Sequence, residues 1–241
     1  MPFTLAHPAA VLPLCRFCPR YCSFPALIVG SVVPDLGYAF GSMALDSLSH
    51  RFTGSIVFCL PVGLLILALF YGLRSRLLPI LPGPYRRIFL PLFRQAPSSA
   101  WVMVTSLLVA CWIHLLLDSW THENGWLVER LPILQYPIAR FGYRALRVHA
   151  VLGYALSFAG IVWLALAYGQ WRRFAEGEAC RRAGWEDWRN GILLALLFVP
   201  VTAVRHIYGG PLSLVFVAVA SMLLTLVAAL WIGAPGLRRN G

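Results

Sequence analysis

The chain has 241 residues, of which 59% are hydrophobic and only 12% charged, and its mean hydropathy is +0.73. Soluble domains carry about 45–50% apolar and about 25% charged residues, so disorder, collagen, coiled coil, a disulfide scaffold and a soluble globule are excluded together, and a polytopic membrane protein is left. The net charge of +11 comes from 20 basic residues, all arginine, set between apolar runs as topology signals and headgroup contacts are; no separate basic domain exists, which argues against a nucleic-acid partner.

The first apolar stretch, Phe3–Cys15, follows Pro2 and contains Pro8 and Pro13. It is shorter than the ~20 apolar residues a span requires, so an interfacial or re-entrant helix packed on the bundle is predicted. No basic residue precedes it, the first being Arg16, which argues against a cleaved signal peptide. Cys15, Cys18 and Cys22 form C-x-x-C-x-x-x-C, one thiol face on a helix. With no fourth cysteine nearby, apolar packing is favoured there over a zinc or iron–sulfur site. Phe24–Leu45 is long enough to span but carries Asp35 and three glycines, and Asp46 after it reads as a turn or cap residue. Five clear spans follow: Ser55–Leu73, Ser99–Thr121, Ala150–Trp171, Gly191–Tyr208 and Leu212–Gly233. They are continuous apolar runs, not alternating ones, so the expected fold is an all-α bundle of five or six transmembrane helices. It forms a single membrane domain over 1–241, with the motifs in 1–173 and two further spans and a basic tail in 174–241.

Arginine counts orient the bundle. Arg74–Arg94 and Arg172–Arg189 hold five each and the tail holds two; the opposite side has Arg51, four in Glu123–Arg147, and Arg205. The first set, with the C-terminus, is therefore expected in the cytoplasm. Glu123-Asn124-Gly125 would then form the lip of an outward-opening polar vestibule, with Trp120 and Trp126 at headgroup level.

The most specific signal is His114-Leu-Leu-Leu-Asp118-Ser-Trp-Thr-His122, three metal-capable side chains at i, i+4 and i+8 on one helix face. Ionisable groups inside a span are costly and mark a functional interior. His114 and His122 stand about 12 Å apart along a helix axis, so both reach one ion only if the helix breaks before His122. Otherwise two ions lie about Asp118, or one ion with His122 outside it. His7, Asp35, His50 and His149 fall toward the same side of the bundle and join the candidates. His206, beside Arg205, reads as an interhelical hydrogen-bonder. No G-x-S-x-G elbow, phosphate loop or H-x-x-H-H box occurs.

The segments MPFTLAHPAAVLPL, ALIVGSVVPDLGY, LSHRFTGS, HLLLDSWTHENGW and RVHAVLGY, over Met1 to Arg173, resemble an uncharacterised bacterial integral-membrane family known only as a domain of unknown function. That family is distantly similar to inner-membrane metal-dependent hydrolases of the LexA-binding type. The similarity implies His7, Asp35, His50, His114, Asp118 and His122 as ligands of a divalent metal, with zinc favoured and one or two ions, in a bacterial inner membrane. Gly54 stands where the distant relatives carry a second histidine.

The expected function is membrane-embedded, metal-dependent hydrolysis of a lipid phosphoester or related ester. Metal would fall to His7, Asp35, His50, His114, Asp118, His122 and His149. Asp35, Asp118 and His122 are the catalytic candidates, and Arg51, Arg144 and Arg147, with Arg140 on the same side, would grip the phosphate. The alternative is a non-enzymatic protein that binds or transports a metal ion or proton; polar groups clustered at one end disfavour it. A bis-histidine haem held by His114 and His149 would leave Asp118 unexplained.

Overall fold

The computed structural model describes residues 4–39, 43–80, 83–141, 144–175, 177 and 192, the side chains at 38, 39, 43, 80, 83, 84, 141 and 144 apart. The expected spans Gly191–Tyr208, residue 192 apart, and Leu212–Gly233, most of Arg172–Arg189 and the Arg144 side chain lie outside the described residues.

A 3-10 turn, Thr4–Ala6, leads into α1 (Pro8–Phe17), which starts with proline where a missing N–H costs nothing. Its ten residues are too few to span, and its Val11 is wholly buried against Leu27 and Ala110. α2 (Phe24–Val32) runs into a 3-10 turn, Val33–Asp35, then α3 (Leu36–Ala39) and α4 (Met43–Ser49). Phe24–Leu45 is therefore not one span. Pro34 has no N–H to continue the helical ladder, and the apolar part, Phe24–Asp35, reaches only about 18 Å against a hydrocarbon core of about 30 Å.

After Arg51, an α turn, α5 (Phe52–Gly54), and a π turn, Ser55–Cys59, continue into α6 (Leu60–Ile80). Trp112 Nε1 donates to Ser55 Oγ at 3.0 Å, and its ring stacks on Phe52, which ties the π turn to the later helix that carries Trp112. α7 (Gly83–Arg94) is the amphipathic piece between two spans. α8 (Ala100–Thr121) begins at Ser99, whose Oγ accepts the Val102 N–H, and ends where His122 turns to extended backbone. α9 (Trp126–Arg130), α10 (Pro132–Gln135) and an antiparallel pair, β1 (Pro137–Phe141) with β2 (Arg144–Arg147), lead to α11 (Val148–Ala175). This small strand pair was not expected; the other regular elements among the described residues are helical. Three helices are long and apolar enough to cross a membrane: Phe52–Pro79, Ala100–Thr121 and Val148–Ala175.

The core is stacked in layers along α2 and α8. Val11, Leu27 and Ala110 form one layer and Ala26, Leu67 and Leu107 the next; Val33, Cys59 and Cys111 form a third. The two helices approach closely because residue 30 is glycine: a Cβ there would fall on the Leu107 carbonyl and the Ala110 methyl. We predict that Gly30→Leu forces the helices apart at a cost of about 1–3 kcal/mol and lowers the thermal midpoint in detergent. Gly72→Ala, where a Cβ meets nothing within 4 Å, leaves the midpoint unchanged or slightly raised.

Candidate metal centre

Four chain segments bring ionisable side chains to one end of α8. The last turns of α8 carry His114 and Asp118, one above the other at i, i+4. The 3-10 turn forced by Pro34 supplies Asp35. The residue after α4 is His50, and Ser49 Oγ donates to the Pro34 carbonyl at 2.6 Å, holding that end of α4 against the 3-10 turn. The turn before α1 supplies His7. His122, the C-cap of α8, sits where the helix has ended, yet it stays outside the four-residue group with His114. Gly125 permits the reversal that follows, since a Cβ there would strike the Ser119, Asp118 and His122 carbonyls.

Asp35, His50, His114 and Asp118 each offer one ligand atom within 4.8 Å of the others. His50 Nε2 lies 3.4 Å from Asp35 Oδ1 and 3.3 Å from Asp118 Oδ2. His114 Nε2 lies 3.6 and 3.1 Å from the same two oxygens. Ligands about 2.0–2.1 Å from a tetrahedral ion stand about 3.3–3.4 Å apart, so four edges of such a tetrahedron are already in place. His114 Nε2, both Asp35 oxygens and Asp118 Oδ2 are buried and make no hydrogen bond. Buried polar atoms are normally paired, and the donor set, two imidazoles and two carboxylates, suits a divalent cation.

The tautomers agree. His114 Nδ1 donates to the Ser31 carbonyl at 2.8 Å and His50 Nδ1 to the Asp46 carbonyl at 2.9 Å. A carbonyl only accepts, so in the neutral rings the lone pairs sit on Nε2, facing the carboxylates. Asp46 Oδ1 stands 3.3 Å from His50 Nδ1 as well. This carboxylate–histidine arrangement orients and strengthens a ligand, and the turn-or-cap reading of Asp46 missed it. The signal was present: Asp46 and His50 are four residues apart, the spacing of His114 and Asp118.

The other candidates take different places. His7, 1% exposed, stacks on the His114 ring at 3.9 Å between centroids, with Nε2 3.3 Å from Asp118 Oδ1. His122 Nδ1 is 3.3 Å from that same oxygen. His149 lies outside the four-residue group, with its Nδ1 on the Leu134 carbonyl at 3.0 Å. His114 faces carboxylates and not His149, which removes the haem arrangement. Arg51 and Arg140 are exposed, and Arg147 pairs with Glu123 at 2.9 Å. Glu123 and Asn124 are exposed beside Trp120 and Trp126. The cysteine run brings no three ligand atoms together among the described residues. Burial, then Cys22, pushes the Cys15 thiol up to about 11, away from the thiolate a metal takes.

Outside the spans, burial opposes charge on His50, but hydrogen bonds to Asp118, Asp35 and Asp46 outweigh it and raise its pKa. His7 moves the other way, lowered by burial and by His114 against the pull of Asp118.

A family model described as "Domain of unknown function (DUF4184)" matches residues 1–234, and the chain belongs to that family. No curated protein and no solved structure matches it.

A cation binds the neutral imidazole, and the carboxylates raise the pKa of His50, so zinc affinity should rise with pH, by about tenfold per unit for each proton displaced. Competition titrations between pH 6 and 8 read this slope; a flat profile contradicts it. At fixed pH, Asp46→Asn should weaken zinc binding about 10–100-fold, whereas replacing Cys15, Cys18 and Cys22 by serine should leave it unchanged.

Proposed function

We propose that this member of the DUF4184 family is a membrane-embedded, metal-dependent hydrolase that cleaves a phosphoester or related ester of a lipid. The observation that carries the reading is the buried group Asp35, His50, His114 and Asp118, whose ligand atoms face one point. A divalent ion held there, with zinc favoured by the donor set, would polarise the ester oxygen and lower the pKa of a bound water. Asp35 Oδ2, buried and without a hydrogen-bond partner, is placed to take the proton of that water. His122 turns Nδ1 to Asp118, which leaves Nε2 for the leaving oxygen. The side chains of His50 and His122 are 20% and 24% exposed while those of His7 and His114 are 0%, so the mouth lies on the His50–His122 side. Arg51, exposed next to His50, would meet the phosphate there.

Three features support a lipid substrate: the site sits at the ends of apolar helices, its mouth adjoins exposed Phe52 and Trp120, and arginine is at hand. The reading places the protein in a bacterial inner membrane with the C-terminus in the cytoplasm and the site toward the outer face. It takes 1–241 as a single membrane domain of five spans, the sixth candidate, Phe24–Leu45, being broken.

Full chain reconstituted in vesicles of defined phospholipids, with zinc, should release a phosphorylated headgroup or a fatty acid. Asp35→Asn should lower turnover at least 10²-fold, and Arg51→Ala should act mainly on KM. Hydrolysis of no lipid, together with zinc flux that vanishes in His114→Ala, would replace this reading with the transport alternative. An impermeant thiol reagent should reach Asn124→Cys in a cysteine-free background without permeabilisation; labelling only after permeabilisation would reverse the orientation.

A further inference from the structure

Asp118 presents both carboxylate oxygens to imidazole nitrogens. Oδ2 faces His50 and His114 at 3.3 and 3.1 Å, within the four-residue group. Oδ1 faces a different ring: His7 Nε2 stands 3.3 Å from it. His7 Nδ1 donates to the Thr4 carbonyl at 3.2 Å, so in the neutral ring Nε2 keeps a lone pair, turned toward Asp118 Oδ1 at hydrogen-bond distance. Two acceptors facing each other at a buried end of the bundle need a positive charge between them, a proton or, once the site is loaded, a metal cation. The His7 ring lies over the His114 ring, with centroids 3.9 Å apart and planes 20° from parallel. Two near-parallel imidazoles whose Nε2 atoms meet the two oxygens of one carboxylate define two cation positions about 4 Å apart, the spacing of carboxylate-bridged pairs in two-metal hydrolytic sites. The 3.3 Å edge between His7 and Oδ1 matches the edges around Oδ2.

We propose that Asp118 bridges two divalent cations, one in the Asp35–His50–His114–Asp118 group and a second between Asp118 Oδ1 and His7 Nε2. This rests on the metal reading of the first group. The second position has fewer protein donors. His122, with Nδ1 3.3 Å from Oδ1, adjoins it on the mouth side, and its remaining coordination falls to water or to phosphate oxygens of a substrate. It is therefore the weaker site. It also gives the N-terminal turn a function, since His7 is that segment's single charged-capable side chain facing the centre among the described residues.

The test is a manganese(II) titration of the full chain in detergent after chelation, read by bound metal and by electron paramagnetic resonance. The expected result is two binding classes, with the exchange-coupled spectrum of a close ion pair at saturation. His7→Gln should keep the tight class and lose both the weak class and the coupling; retention of the tight class shows that the variant is folded at the first centre. If His7→Gln does not fold, the wild-type spectrum decides alone. One equivalent with an uncoupled spectrum in the wild type, abolished by Asp118→Asn, overturns the second site and leaves the first standing. A coupled pair that survives in His7→Gln overturns the assignment of His7. No manganese and no zinc bound by the wild type overturns both sites.

Discussion

Two carboxylates buried side by side at the end of an apolar helix bundle are the constraint on which the structure turns. Asp35 and Asp118 have side chains only 4% and 6% exposed, and they share their surroundings with imidazole lone pairs. Burying a charge is expensive unless it is paired. Here the pairing groups are arranged around a point more than against one another: N–O separations of 3.1–3.6 Å accompany carboxylate atoms without hydrogen bonds. A centre of this kind is stable when a cation occupies the point and costly when it does not, so fold stability and metal affinity are one quantity seen twice.

The fold serves that convergence. Proline 34 breaks what would have been a longer helix and turns Asp35 into the bundle. Gly30 lets α2 lie close enough on α8 for the Ser31 carbonyl to accept a hydrogen bond from His114 Nδ1. Ser49 fastens α4 to the broken helix, and the Asp46 carbonyl sets the His50 tautomer. The π turn over Ser55–Cys59 lies just after His50 and is pinned by Trp112. Such irregular turns within helices recur at functional sites. Asp35 and His50 thus come from a helix break and a helix end, whereas His114 and Asp118 sit one turn apart within the last turns of α8.

The all-α class, the short first helix and the three described helices long and apolar enough to cross a membrane were legible because long apolar runs leave few alternatives. The one-face placement of His114 and Asp118 followed from helical spacing alone. Distance along the helix also stated what His122 would need, and the helix does end at Thr121. Other features depended on tertiary contacts that no local pattern encodes. Phe24–Leu45 passed on length, and only the cost of the proline in context shows the break. His149 shared a membrane side with the cluster, but its partner, Leu134, lies in a loop helix whose path the sequence did not indicate. Asp46 was passed over because its surroundings of glycine and serine resemble any turn. The hairpin Pro137–Arg147 is too short to show a period of two clearly, and its charged residues suited a polar loop equally well.

The central claim is that aspartate and histidine, from separate helix ends, hold one cation together. X-ray absorption at the zinc edge of the purified, zinc-loaded chain tests it most directly. The account predicts a first shell of nitrogen and oxygen at about 2.0–2.1 Å, with the outer-shell scattering of at least two imidazoles, and loss of that pattern in His114→Ala. A shell of sulfur at about 2.3 Å, or a zinc spectrum with no imidazole scattering, would contradict it.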